Sequence, residues 1–223
     1  MKHIVAPRMT YSFRLNTAEA SLAGRDLAFI LGTLLGRVKA ASAVIYRTRE
    51  ERDQFQGIAA SFEASAQVPD LSVSLSVDAT VTLKQGERPF QTSIETDPRF
   101  AGLPEVLQFG LKKLLVFPLR DRDGLSGVMT IGRTSDQGFD SRAVQLALPA
   151  ARIAGAVIER DSLREELRSR KLMERAKGIL QRERAISEED AYLQLCRQSR
   201  QLRRPVADIA REIIDGALLR KTA

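Results

Sequence analysis

The stretch LKKLLVFPLRDRDGLSGVMTIGR, residues 111–133, decides the fold. Two apolar runs flank the polar link RDRDG at 120–124, and Asp123-Gly124 supplies a turn pair inside it. A tight antiparallel connection needs residues that tolerate positive φ, and Asp-Gly meets that need. The stretch is predicted to be a β-hairpin in an antiparallel sheet.

Upstream, apolar residues recur at helical spacing over about 18–40: Leu22, Leu27, Ile30, Leu31, Leu34, Leu35 and Val38. That pattern predicts an amphipathic helix. Residues 1–17 carry no period and are predicted to be a tail. Two short strands are expected at 41–49 and 54–62, joined by EERD at 50–53. Residues 63–77 are rich in Ser and Val and match no template. A short helix, a break at Gln85-Gly86 and a brief strand after Pro89 are predicted within 78–94. Residues 95–110 read as loop with a short helix.

Downstream, Asp140 or Ser141 is a candidate N-cap for a long helix over about 141–182. Pro149, early in that helix, is a candidate kink. From Leu163 the apolar positions thin and charges alternate in sign, as in an exposed helix or a narrow coiled-coil seam. Two more helices close the chain. One has Ser187 as N-cap with Asp190 three residues on, close to a capping box. The other has Pro205 expected at its first position. Its apolar stripe is Val206, Ile209, Ala210, Ile213, Ile214 and Leu218.

One residue breaks the pattern of the long helix. In MERAKGILQRER, residues 173–184, Gly178 stands amid good helix formers, and a helical glycine costs about 1 kcal/mol relative to alanine. Either the glycine allows close packing against another helix, or it bares the helix backbone to an approaching phosphate or base beside Lys177. Charge favours an anionic partner here. From Arg160 onward there are 16 Lys and Arg against 11 Asp and Glu, whereas the first 159 residues have 19 against 17. Arg197, Arg200, Arg203 and Arg204 crowd one side of the penultimate helix and its end, with no acid among them. Arginine forks suit phosphates and stack on unpaired bases. The plain alternative is a solvated face paired with Glu188, Glu189 or Asp190. Tyr192, the one aromatic in this basic part, is expected in the core.

The order of elements over 18–160, with GLKKLLVFPLRDRDGLSGVMTIGR and Asp97-Pro98-Arg99-Phe100, resembles a GAF sensory domain. SRKLMERAKGILQRERAISEEDAYLQLCRQSRQLRRPVADIAREII is similar to the ANTAR domain, a three-helix RNA-binding module of bacterial antiterminators. Ala176-Lys177-Gly178-Ile179-Leu180 matches its first helix, Ser187 with Ala191-Tyr192 its second, and Val206 with Ile209-Ala210 its third. Two departures stand out. The family carries Leu-Arg where this chain has Leu195-Cys196, with Arg197 one place later, and often a basic residue where Pro205 stands. If that family arginine touches RNA, Arg197 substitutes for it imperfectly.

The resemblance implies an α+β GAF-like domain over 18–160, an antiparallel sheet with flanking helices. A long helix joins it to an all-α, three-helix ANTAR module over 161–223. It further implies a cytoplasmic, signal-responsive regulator of transcription antitermination that binds tandem stem-loops in nascent RNA. The candidate RNA-binding residues are Lys177, Gly178, Gln181, Arg182, Arg197, Arg200, Arg203 and Arg204. Two loops favour a homodimer, for which Ile158, Leu163 and Leu167 on the long helix are candidate seam residues.

Other chemistries lack their residues. The only histidine is His3 and the only cysteine Cys196. No metal or cofactor site is expected, and a bilin thioether has no cysteine in the sensor part. No phosphate-binding Gly-rich loop or nucleophile elbow occurs, so an enzyme is not expected. The opening MKHIVAPRMTYSF lacks the apolar core of a signal peptide, and no run has the length of a membrane span. The sensor part is left a small-molecule or protein signal. The competing reading is a ligand sensor whose C-terminal helices bind a protein partner or DNA.

Overall fold

The computed structural model describes residues 22–49, 54–62 and 71–222. The chain divides into two compact units, Met1–Glu159 and Arg160–Ala223. The expected tail at 1–17, the start of the first helix before 22, the EERD link and residues 63–70 lie outside the described residues.

The first unit is built on a six-stranded antiparallel sheet in the order β3-β2-β1-β6-β5-β4. Its strands are β1 (Ser42–Arg49), β2 (Gln54–Phe62), β3 (Ser72–Ser74), β4 (Phe90–Ser93), β5 (Lys113–Asp121) and β6 (Gly124–Arg133). Helices α1 (Leu22–Val38), α2 (Val77–Gln85) and α3 (Pro104–Phe109) flank it, with the start of α4 (Ser141–Arg184). The hairpin expected at 111–133 is the β5–β6 pair, but its turn lies one residue earlier than Asp123-Gly124. Asp121 pairs with Gly124, so Arg122 and Asp123 form the loop. The Asp121 carboxylate accepts the Asp123 and Gly124 N–H groups at 2.9 and 3.1 Å. With that side chain closing the bend, only Gly124 needs a positive φ, 130°.

Side chains alternate between two apolar layers, as strand geometry requires. Ile45, Phe117, Met129 and Ile131 face α1 and α4, while Val44, Tyr46, Val116 and Val128 face α2 and α3. The central strands are buried on both sides, which is why β5 and β6 read as near-continuous apolar runs. Arg120 on β5 ties the hairpin to α2, donating to the Gly86 carbonyl at 3.0 Å and the Leu83 carbonyl at 3.3 Å. Those carbonyls at a helix end otherwise lack partners.

Asp140 caps α4 by accepting the Ala143 N–H at 2.8 Å. The helix continues through Pro149, which is exposed. Ile158 requires a correction. It is 2% exposed, within the core of the first unit, and is no candidate for a dimer seam. A Cβ on Gly127 would lie 3.0 Å from the Ile158 Cδ1 and 2.3 Å from the Tyr46 carbonyl oxygen. The glycine lets β6 pass beneath that side chain.

One ionisable group lies in the core. Glu105 of α3 is fully buried; the Thr130 hydroxyl donates to its Oε1 at 2.8 Å and the Tyr46 phenol to its Oε2. Burial pushes the Glu105 carboxyl above its ordinary value, against the opposing pull of hydrogen bonds from Tyr46, its own backbone and Thr130. Burial, then the Glu105 charge, also raises the Tyr46 phenol. A carboxyl with a raised folded pKa contributes its full stability below the ordinary carboxyl range. That contribution is lost as pH rises through the raised value. Glu105→Gln keeps the shape without the titration, so its thermal midpoint is expected to fall less than wild type's as pH rises from the ordinary value through the raised one. Equal slopes would contradict the assignment. Glu105→Ala, which strands two buried hydroxyls, is expected to cost about 1–3 kcal/mol.

Candidate nucleic-acid interface

The second unit packs the C-terminal part of α4 with α5 (Glu188–Leu202) and α6 (Val206–Thr222). Its core is Ala176, Ile179, Leu180, Ala191, Leu195, Ile209, Ala210, Ile214 and Ala217. Four of these are alanines, so the helices approach closely. The stripe expected on α6 ends at Ala217 instead of Leu218, which is 48% exposed. Pro205 precedes α6 by one residue, and its carbonyl accepts the Asp208 N–H at 3.0 Å.

Ser187 caps α5 as its sequence indicates, accepting the Asp190 N–H at 3.0 Å. Its hydroxyl also donates to the Asp190 carboxylate at 2.7 Å. At the other end Arg203 adopts a left-handed conformation, φ 50° and ψ 43°, a place usually taken by glycine. The Arg204 N–H reaches back to the Ser199 carbonyl at 3.1 Å, and the Ser199 hydroxyl donates to the Arg204 carbonyl at 2.6 Å. The turn is thus closed by hydrogen bonds on both sides of a strained arginine.

The cations fall into two groups. Lys177 is held: its ammonium lies 2.8 Å from Glu174 and 2.7 Å from Glu188, and its side chain is only 12% exposed. Hydrogen bonds from Glu174 and then Glu188 raise its pKa, and Lys177 lowers that of Glu188. Arg204 pairs with Glu212 at 2.6 Å. Arg182 is exposed but lends its Nε–H to the Gly178 carbonyl at 3.1 Å. Arg197, Arg200 and Arg203, by contrast, are exposed and have no ion-pair partner among the described residues. The expected alternative, pairing with Glu188, Glu189 or Asp190, is not adopted. Asp190 serves the cap and Glu188 serves Lys177.

Gly178 lies on the side of α4 away from this core, and a Cβ added there would meet no atom within 4 Å. Helix packing inside the chain therefore gives no reason for the glycine. Gln181, one turn on from Lys177, is half-buried. Tyr192 corrects the sequence reading: it is 47% exposed, not core. A hydrogen bond with Cys196 raises its phenol, while the Arg200 and Lys177 charges act in the opposite sense. The ring therefore lies within electrostatic reach of cations from both α4 and α5. Cys196 is half-buried, and Arg197 is exposed about 100° further around the helix. Lys177, Gly178, Tyr192 and Arg200 thus border one surface, with Arg197 and Arg203 beside it on α5 and its end. The sequence signal for Tyr192 was its phase, one residue past the buried Ala191 and Leu195 pair.

Among the described residues no group of His, Cys, Asp and Glu is arranged to hold a metal, and no helix is long and apolar enough to cross a membrane. The GAF domain family model matches residues 27–159 and the ANTAR domain model matches 161–214. Among solved structures, the GAF domain of a phosphoenolpyruvate-protein phosphotransferase from Coxiella burnetii is similar, with 15% identity and a TM-score of 0.54. That match covers 65% of this chain and 86% of that one. The corresponding GAF domain from Acinetobacter aligns at 18% identity and a TM-score of 0.51, over 63% and 84%. A phycoerythrobilin-bound GAF domain from a cyanobacterial phytochrome aligns at 12% identity and 0.52, over 66% and 90%. At such identities the likeness is one of fold. No curated protein matches the chain.

Arg203→Gly is expected to relieve the left-handed strain and stabilise the α5–α6 turn by about 1 kcal/mol. Slower amide hydrogen exchange at the end of α5 checks this.

Proposed function

Since the chain belongs to the GAF family and carries an ANTAR domain after its GAF domain, making it a regulator with an RNA-binding output, we propose that it controls transcription antitermination. In this reading the ANTAR helices bind tandem stem-loops of a nascent transcript in the cytoplasm, one loop for each subunit of a homodimer. A small molecule or protein acting on the GAF domain sets the response through α4, the helix the two domains share. The boundary falls near 160, with the RNA-binding segment over 161–223.

The observation that carries this reading is the surface of Arg197, Arg200 and Arg203 beside the exposed Tyr192. Unpaired guanidinium groups are available to phosphates, and an exposed ring offers a stacking face to an unpaired loop base. The deep major groove of an RNA duplex is closed to side chains, so a loop suits this surface better than a stem. Lys177 joins by exchanging Glu188 for a phosphate, and Gly178 leaves the helix backbone open next to it. Gln181, Arg182 and Arg204 border the same region as supporting contacts. Exposed Leu193 and Leu202 on α5 favour a second reading, a protein partner.

Salt separates the two. Binding to a tandem stem-loop RNA, followed by fluorescence anisotropy, is expected to weaken linearly in log–log form as salt rises. Arg200→Ala and Arg203→Ala should each weaken it and flatten the slope by about 0.7. A protein partner with no such slope, and no RNA shift by wild type, would favour the second reading. Gly178→Ala is expected to stabilise the helix by about 1 kcal/mol and weaken RNA binding. Since the methyl group fits freely in the isolated chain, any loss arises on the RNA side. Unchanged binding would remove Gly178 from the interface.

A further inference from the structure

The outward face of α4 carries a second apolar stripe, distinct from the one packed on the sheet. Leu146, Pro149, Ile153, Ala156, Leu163 and Leu167 succeed one another at heptad spacing, with Arg160 in the one remaining place. Ile153 and Leu167 are 44% and 57% exposed; Pro149 and Ala156 are exposed, Leu146 and Leu163 half-buried. The sheet-facing residues Ala147, Ala151, Ala154 and Ile158 occupy other positions of the same heptad. The helix is therefore apolar on two opposite sides, and only one is covered.

We infer that the outward stripe is the seam of a parallel, in-register, two-stranded coiled coil with a second copy of this chain. The inference rests on the homodimer of the preceding reading and supplies its surface and direction. Charge complementarity identifies the occupant. The positions flanking the seam hold Glu159 and Glu166 on one side, Arg164 and Lys171 on the other. In a parallel pair, Glu159 meets Arg164 of the partner subunit and Glu166 meets Lys171 of the partner subunit. In an antiparallel pair the carboxylates would face each other and the cations would face each other. The internal pairs of these residues, Arg170–Glu166 at 2.7 Å and Arg164–Asp161 at 4.0 Å, are exposed and hence weak competitors. Arg160 is the single polar residue on the seam, and Asp161 lies 2.9 Å from it. A lone polar residue at such a position fixes register and strand number while lowering stability. Parallel strands also deliver both RNA-binding segments at the same end of the seam, as two neighbouring loops on one transcript require.

Site-directed cross-linking on the full chain tests this. In a Cys196→Ser background, Leu167→Cys places one thiol per chain on the seam. Only a parallel, in-register pair brings the two thiols together, so mild oxidation is expected to give a covalent dimer. Sedimentation should show Glu159→Lys with Glu166→Lys raising the dimer dissociation constant about tenfold or more. Adding Arg164→Glu and Lys171→Glu should restore it. Circular dichroism confirms that each variant is folded. A monomeric wild-type chain, a dimer that does not cross-link at 167, or a charge reversal without effect overturns the inference. RNA binding by the same samples keeps the two readings apart. A monomer that binds the tandem RNA overturns the seam alone, and a cross-linked dimer that binds no RNA supports the seam while overturning the RNA reading.

Discussion

The close contact of α4 with the sheet governs the rest of the molecule. Ala143, Ala147, Ala150, Ala151 and Ala154 line its inner face, and none exceeds 6% exposure. Small side chains let the helix lie close, and Ile158 settles over Gly127 where no Cβ would fit. Dense packing of this kind tolerates little rotation. With the inner face fixed, the outer face is fixed as well, and the heptad stripe must point away from the sheet.

In the ANTAR segment an alanine-rich core likewise brings helices close, and their polar shells then interlock. That proximity sorts the cations. Lys177, between α4 and the first turn of α5, is within reach of two carboxylates and is taken up by them. Arg204 is near enough to α6 to pair with Glu212. Arg197, Arg200 and Arg203 face away from every acid and keep their full charge. A surface with both held and unheld cations can bind a phosphate directly in one place and by ion exchange in another.

Much of this was legible along the chain. The β5–β6 hairpin followed from two apolar runs around a polar link, the capping of α5 from Ser187 and Asp190, and the length of α4 from its period. All three depend on residues within a few positions of one another. The misses have a common cause. Ile158 was assigned to a dimer seam and Tyr192 to a core because the periodicity of a helix shows that it has faces without showing what each face meets. The turn at Asp121–Gly124 was misplaced by one residue because the Asp121 side chain does part of the work expected of the backbone.

By itself, the sequence determined the elements, their order, the two family resemblances and the uneven charge, since each is written in neighbouring residues. It also held the heptad on α4, although two interleaved apolar stripes on one helix cannot be assigned before one is seen buried. Only the tertiary structure decided that Lys177 is clamped, that Tyr192 is exposed and that Gly178 has nothing packed against it. Those facts depend on which side chains from distant segments come within a few ångströms, and packing of the whole fold sets that distance.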